Sequence, residues 1–190
     1  MFFDGHAVRI RRYRPDDAPA LFDAVRESLD DLCAFLTWCR PDYRLEESRE
    51  FVAKSDSARE KGEEYNFAIV DATGEILLGG VGLNRIDRVH NFANLGYWVR
   101  RSHTRHGVAT SATRLIARFG LLEIGFNRLE ILVSEHNPAS QRVAQKAGAK
   151  FEGILRNRLV LAGRPHNAFV YSLVAADLAA DSAKSVVIPG

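Results

Sequence analysis

The chain has 190 residues, 46% hydrophobic and 26% charged, with a net charge of +2. This suits one soluble globular domain with a sizeable core, and so small a charge excludes bulk attraction to nucleic acid, leaving local basic residues to serve a small anion. No apolar run approaches the ~20 residues that span a bilayer and the N-terminus has no signal-like core, so the expected location is the cytoplasm.

His6–Tyr13 alternates apolar and polar residues and reads as a first strand. Ala18–Leu29 has Leu21, Phe22, Val25 and Leu29 on one helical face. Cys33 and Cys39 follow in the apolar segment LDDLCAFLTWC, not spaced as a metal pair, and are expected to be buried reduced thiols. A second helix is predicted from Leu45 to Lys61. Tyr65–Asp71 and Ile76–Ile86 read as a hairpin across Ala72-Thr73-Gly74, and Asn91–Arg100 as the next strand. His106–Gly120 carries Val108, Leu115, Ile116 and Phe119 on one stripe. Arg128–Ser134 is a strand rich in leucine and β-branched residues. Asn137 as cap, Pro138 at the first helical position and Gly148 beyond the end frame another helix. Phe151–Val174 reads as two strands turning at Ala162-Gly163. The single domain is expected over residues 1–178, with 179–190 a loosely ordered tail.

The stretch Gly96–Thr113 (GYWVRRSHTRHGVATSAT) runs from a strand through a basic loop to a glycine at a helix mouth. The first helical turn has unpaired N–H groups and partial positive charge, and Gly107 lets a ligand approach without a Cβ in the way. This suits a pyrophosphate. It is not a Walker loop, because no lysine follows a glycine in the required frame. Gly79-Gly80-Val81-Gly82 lies inside a hairpin strand and opens no helix, so it is not a dinucleotide fingerprint either. A second helix mouth, Glu135–Ser140 (EHNPAS), follows the neighbouring strand at the same sheet end.

The ordered set NFANLGYWV (91–99), RHGVA (105–109), NPAS (137–140), Gly148, Phe151-Glu152-Gly153 and Arg156 resembles the GNAT superfamily of acetyl-CoA-dependent N-acetyltransferases. Within it, the pattern is similar to the Rim-type acetyltransferases of ribosomal-protein N-termini. The likeness covers most of the chain, including the apolar-aromatic segment Leu32–Trp38. It implies an α+β GNAT fold: a mixed, mostly antiparallel central sheet with a splayed strand pair and helices on both faces. It also implies a bulge in the strand Asn94–Arg100, which splays from Arg128–Ser134 around the pantetheine of the cosubstrate, acetyl-CoA.

By the same resemblance, Trp98 and Val99 present backbone to pantetheine, and Arg105, His106, Gly107, Val108, Ala109 and Thr110 hold the pyrophosphate. Asn137 bonds the pantetheine arm, and Ser140 sits near sulfur, where it donates to the departing thiolate. Arg100 and Arg142 are candidates for CoA phosphates. No metal is expected.

The chain departs from the family pattern in four places. Thr104 stands where Arg or Gln commonly begins the loop, and Leu159 where some relatives carry a proposed base. Asn167 replaces a residue that is often acidic, and no tyrosine acid follows Ser140. Glu135 and His136 are the remaining base candidates, and Tyr97 is a residue whose hydroxyl lines either the acceptor side or a helix.

Without a strong base, a neutral amine must come from the acceptor itself. At pH 7.5 about a third of an α-amine is neutral but only ~0.1% of a lysine. A protein N-terminus is therefore the expected acceptor, with a polyamine, amino acid or antibiotic amine as the alternative. A non-catalytic acyl-CoA sensor is the alternative of another class. Membrane and direct nucleic-acid partners are not expected, and a homodimer is compatible with the pattern.

Overall fold

Along β3 (Tyr65–Asp71) buried side chains alternate between two apolar clusters: Phe67 and Ile69 enter one, Ala68 and Val70 the other. Period-two alternation buried on both sides requires a sheet covered on both faces. The computed structural model, which describes residues 2–3 and 6–178, supplies both covers. Leu21 and Val25 of α1 (Ala18–Glu27), Leu32 of α2 (Leu29–Cys33) and Val52 of α3 (Leu45–Glu60) pack on one face. Val108, Ala112 and Ile116 of α4 (Val108–Arg118) and Ala144 of α5 (Pro138–Lys146) pack on the other. The tail expected at 179–190 lies outside the described residues.

The remaining strands are β1 (Phe2–Phe3), β2 (His6–Arg11), β4 (Leu77–Asp87), β5 (Phe92–Val99), β6 (Arg128–Ser134), β7 (Lys150–Leu161) and β8 (Arg164–Leu173). They form one sheet in the order β1-β2-β3-β4-β5-β6-β8-β7, seven strands plus the two-residue β1. Every neighbouring pair is antiparallel except β5 and β6. This is the mixed α+β sheet expected from the sequence.

The parallel pair is what positions the site. β5 and β6 are in register only at Phe92↔Arg128, Ala93↔Leu129 and Asn94↔Glu130. Beyond these residues β5 stays on β4 through Gly79↔Val99, while β6 stays on β8 through Ser134↔Ala168. The two strands therefore splay, and a cleft opens between them. The bulge expected in the second half of β5 is not there. The register shift falls between Asn84 and Asp87 of β4, where Arg85 adopts φ +49°. The extra residue is on the partner strand, opposite the start of β5.

Two further expectations are corrected. The first helix stops at Glu27, because Ser28 leaves helical geometry (φ −112°, ψ 8°). Its hydroxyl donates to the Ala24 carbonyl and accepts the Arg101 N–H, so the break also anchors the loop after β5. Cys33 and Cys39, expected as separate thiols, are joined in a disulfide with Cα atoms 4.8 Å apart. The chain reverses after α2 through Phe35 and Leu36 N–H bonds to the Leu32 carbonyl, which returns Cys39 to Cys33.

Candidate active site

After β5 the chain makes a tight turn over Arg101–His103 and enters α4 through Thr104, Arg105, His106 and Gly107. Arg105 (φ +66°) and Gly107 (φ +75°) both adopt the left-handed conformation, which glycine takes without the steric cost a side chain incurs. Gly107 is the N-cap, and the first helical bond runs from the Ser111 N–H to its carbonyl, 3.0 Å. No side chain caps this end. The N–H groups of Val108, Ala109 and Thr110 therefore precede the intrahelical ladder, at the positive end of the helix dipole. Arg105 and His106 are exposed beside them. Thr104, where the family pattern has Arg or Gln, donates its hydroxyl to the Arg101 carbonyl and closes the turn.

Arg100, a candidate for CoA phosphate, donates its Nε to Glu27 at 3.0 Å, so its guanidinium is engaged with α1. Glu27 also accepts the Ser102 N–H at 2.7 Å. The Arg100 guanidinium, with Ser102, holds the Glu27 carboxyl down at about 2. Arg101 is paired with Asp30 and Asp31. These contacts fasten the start of the anion loop to α1 and α2. Glu27→Ala is expected to raise KM for acetyl-CoA about 3- to 10-fold with kcat little changed, measured by steady-state thiol release. Because the folded-state pKa is lowered, the lock is intact above the ordinary carboxylate range and is lost as pH falls toward about 2.

On the other side of the cleft α5 is capped by its own sequence. The Asn137 Oδ1 accepts the Ser140 N–H at 3.0 Å, which leaves the amide Nδ2 as the donor for a ligand. The Ser140 Oγ lies 2.9 Å from the Tyr97 hydroxyl, and that hydroxyl is also 3.0 Å from the Ser140 carbonyl. Tyr97 has one proton. When it donates to the carbonyl, Ser140 donates to the phenol oxygen. This link joins β5 to α5 across the splay, and the sequence reading placed Tyr97 only as a lining or packed residue. Burial pushes the Tyr97 phenol up to about 12, so it stays neutral.

Trp98 and Val99 pair with Gly80 and Gly79 of β4, and their other strand edge lies where β6 has diverged. A Cβ on Gly80 would come within 2.6 Å of the Trp98 Nε1 and 2.8 Å of the Tyr13 hydroxyl, so the glycine admits the indole. Trp38, from the apolar-aromatic segment Leu32–Trp38, packs edge-on against Trp98 and Tyr43 and remains 44% exposed. Arg142 is exposed on α5.

At the far end of β6, Glu135 and His136 precede Asn137. Both Glu135 carboxylate oxygens accept from Asn167 of β8: the backbone N–H at 3.0 Å and Nδ2 at 3.1 Å. The Asn167 backbone N–H, against some desolvation, holds this carboxyl below its ordinary value. An acidic residue at 167 would set two carboxylates against each other, and Asn donates instead. His166 stands edge-on to His136, with ring centroids 5.5 Å apart. Leu159 lies opposite His166 on β7, so no carboxylate occupies that place. The sequence reading did not single out His166, and no local motif marks it.

Residues 7–150 match the family model described as the acetyltransferase (GNAT) domain, and the chain belongs to this family. Such enzymes move an acetyl group from acetyl-CoA, the cosubstrate, to an amine. More particularly, the chain is 34% identical over 162 residues to the probable N-acetyltransferase YjcK of Bacillus subtilis (strain 168), covering 84% of this chain and 89% of that one. It is 25% identical over 151 residues to the ribosomal-protein-serine acetyltransferase of Escherichia coli (strain K12), covering 80% of each. The fold superposes on the solved structure of RimL, a ribosomal L7/L12 alpha-N-protein acetyltransferase in complex with coenzyme A. The TM-score is 0.81 at 22% identity, covering 90% of this chain and 95% of that one. Among the described residues no helix is long and apolar enough to cross a membrane.

Proposed function

We propose that the chain transfers acetyl from acetyl-CoA to the α-amine of a protein N-terminus, of the ribosomal-protein type, in the cytoplasm. The observation that carries this reading is the cleft between β5 and β6, with the uncapped mouth of α4 at one wall and the Tyr97–Ser140 pair bridging it. The N–H groups of Val108, Ala109 and Thr110, with Arg105, His106 and Gly107, suit the pyrophosphate. The edge of β5 at Trp98 and Val99, and the Asn137 amide, suit the pantetheine arm.

The neutral amine attacks the thioester carbonyl carbon, forming a C–N bond. Collapse of the tetrahedral intermediate breaks the C–S bond. A serine hydroxyl is a far weaker acid than a thiol, whose pKa is ~8.5, so Ser140 gives the leaving thiolate a hydrogen bond, not its proton. The proton that neutralises sulfur is the one the amine nitrogen loses. Tyr97 fixes the Ser140 rotamer: its proton turns from the Ser140 carbonyl to Ser140 Oγ, 2.9 Å away, which frees the serine proton for sulfur.

The relative named a ribosomal-protein-serine acetyltransferase supports a protein as acceptor. The place of Leu159 supports an α-amine over lysine, since an acceptor that is about a third neutral at pH 7.5 does not depend on a strong base. For a peptide α-amine, kcat/KM is expected to rise about tenfold per pH unit below pH ~7 and to level off above ~8, following the acceptor's own pKa. A plateau already reached at pH 6 would point instead to an enzyme base.

The test of the reading is thiol release from acetyl-CoA with N-terminal peptides, spermidine, free amino acids and aminoglycosides as acceptors. Turnover with the peptides supports it. Turnover with polyamines and not with peptides overturns it, and tight CoA binding without release for any acceptor favours a sensor.

A further inference from the structure

Glu135, His136 and His166 come from two chain segments and meet at the open end of β6. We infer that they form a binding site for one divalent transition-metal ion of the zinc class, whatever the acceptor amine is. A carboxylate oxygen and one ring nitrogen from each histidine all lie within 4.8 Å of one another. Zinc bonds of ~2.0–2.2 Å put neighbouring donors of a tetrahedral site about 3.3–3.5 Å apart. Closing that gap takes movements of about an ångström, which His136 makes by side-chain rotation because its side chain is 66% exposed.

The carboxylate is already oriented as metal-bound carboxylates are, by hydrogen bonds from outside the cluster. Asn167 donates to both of its oxygens, and the Asn167 Oδ1 accepts the Asn157 N–H at 3.1 Å. Asn157 sits in a β7 irregularity at φ +52°, so the support comes from backbone. An ionised carboxylate with two donors keeps lone pairs for a metal.

Two imidazoles and one carboxylate select a zinc-class ion over Mg²⁺ or Ca²⁺, which take six or more oxygens. With three protein donors, the fourth position falls to water. His136 is bonded to Asn137, so a bound ion also fixes the turn that caps α5. It ties that turn to the β7–β8 hairpin through His166.

The test uses the untagged chain, stripped with chelator and titrated with Co(II), whose visible d–d absorption reports four- or five-coordinate binding. One equivalent is expected to bind with micromolar affinity and to be displaced by Zn(II). His136→Gln and His166→Ala are expected to weaken binding at least about tenfold, and Asn167→Leu about tenfold. His90→Ala, an exposed histidine outside the cluster, leaves binding unchanged. A retained rise in melting temperature with acetyl-CoA shows that each variant is folded. Absence of the cobalt spectrum at millimolar metal, or binding by His136→Gln and His166→Ala equal to that of the parent chain, overturns the assignment.

Discussion

Ser140→Ala is expected to lower kcat about 100-fold while KM for acetyl-CoA stays within about twofold. The hydroxyl is assigned a bond that matters only when charge develops on sulfur, and removing one such donor typically costs ~10²–10³ in turnover. The fold bears little of the loss. The Ser140 N–H remains on Asn137, and Tyr97 retains the Ser140 carbonyl at 3.0 Å. Losing the one remaining side-chain bond costs about 1 kcal/mol of stability. Tyr97→Phe keeps the ring and deletes the positioning bond, so a smaller fall in kcat, about tenfold, is expected. Thiol-release kinetics at saturating acetyl-CoA measure both. Unchanged turnover in Ser140→Ala would remove that residue from the chemistry.

Gly107→Val is expected to raise KM for acetyl-CoA by about 10- to 100-fold. At φ +75° a β-branched side chain is strained by ~1–3 kcal/mol, and relief of that strain turns the N–H groups of Val108, Ala109 and Thr110 away from a common point. Each 1.4 kcal/mol lost in binding is tenfold. In the proposed pose the new Cβ also stands where the pyrophosphate approaches the backbone. That pose puts the loop away from the thioester carbonyl, so kcat at saturation is expected to change far less than KM. Gly107→Ala falls between the two. A separate melting curve distinguishes lost affinity from lost fold, and an unchanged KM would take the α4 mouth out of cosubstrate binding.

Features with a local cause were readable in the chain. Asn137, Pro138 and Gly148 frame α5 because a cap, a fixed φ and a left-handed glycine act within a few residues, and Gly148 has φ +93°. β3 and β6 occupy Tyr65–Asp71 and Arg128–Ser134 as the hairpin signal and the β-branched, leucine-rich composition predict, and Gly79–Gly82 lies within β4 as expected. The splay followed from the family resemblance, and no local pattern announced it.

What escaped the sequence depends on distant partners. Tyr97 meets Ser140 across 43 residues and Arg100 meets Glu27 across 73, so neither contact has a local period. Ser28 ends α1 in part because Arg101, far along the chain, needs its oxygen. Cys33 and Cys39 read as two apolar-segment thiols until the reversal after Leu32 brings them together. The bulge moved from β5 to Arg85 of β4 because register belongs to a pair of strands and not to either alone.

The central claim is acetyl transfer to an α-amine. It is tested most directly with one peptide that carries both a free N-terminus and an internal lysine, incubated with enzyme and acetyl-CoA at pH 7.5 and sequenced by tandem mass spectrometry. The account predicts acetyl on the α-amine, at least about 100-fold ahead of the lysine, as the neutral fractions of the two amines require. Acetyl found mainly on the lysine, or on neither amine while an added polyamine is acetylated, would contradict it.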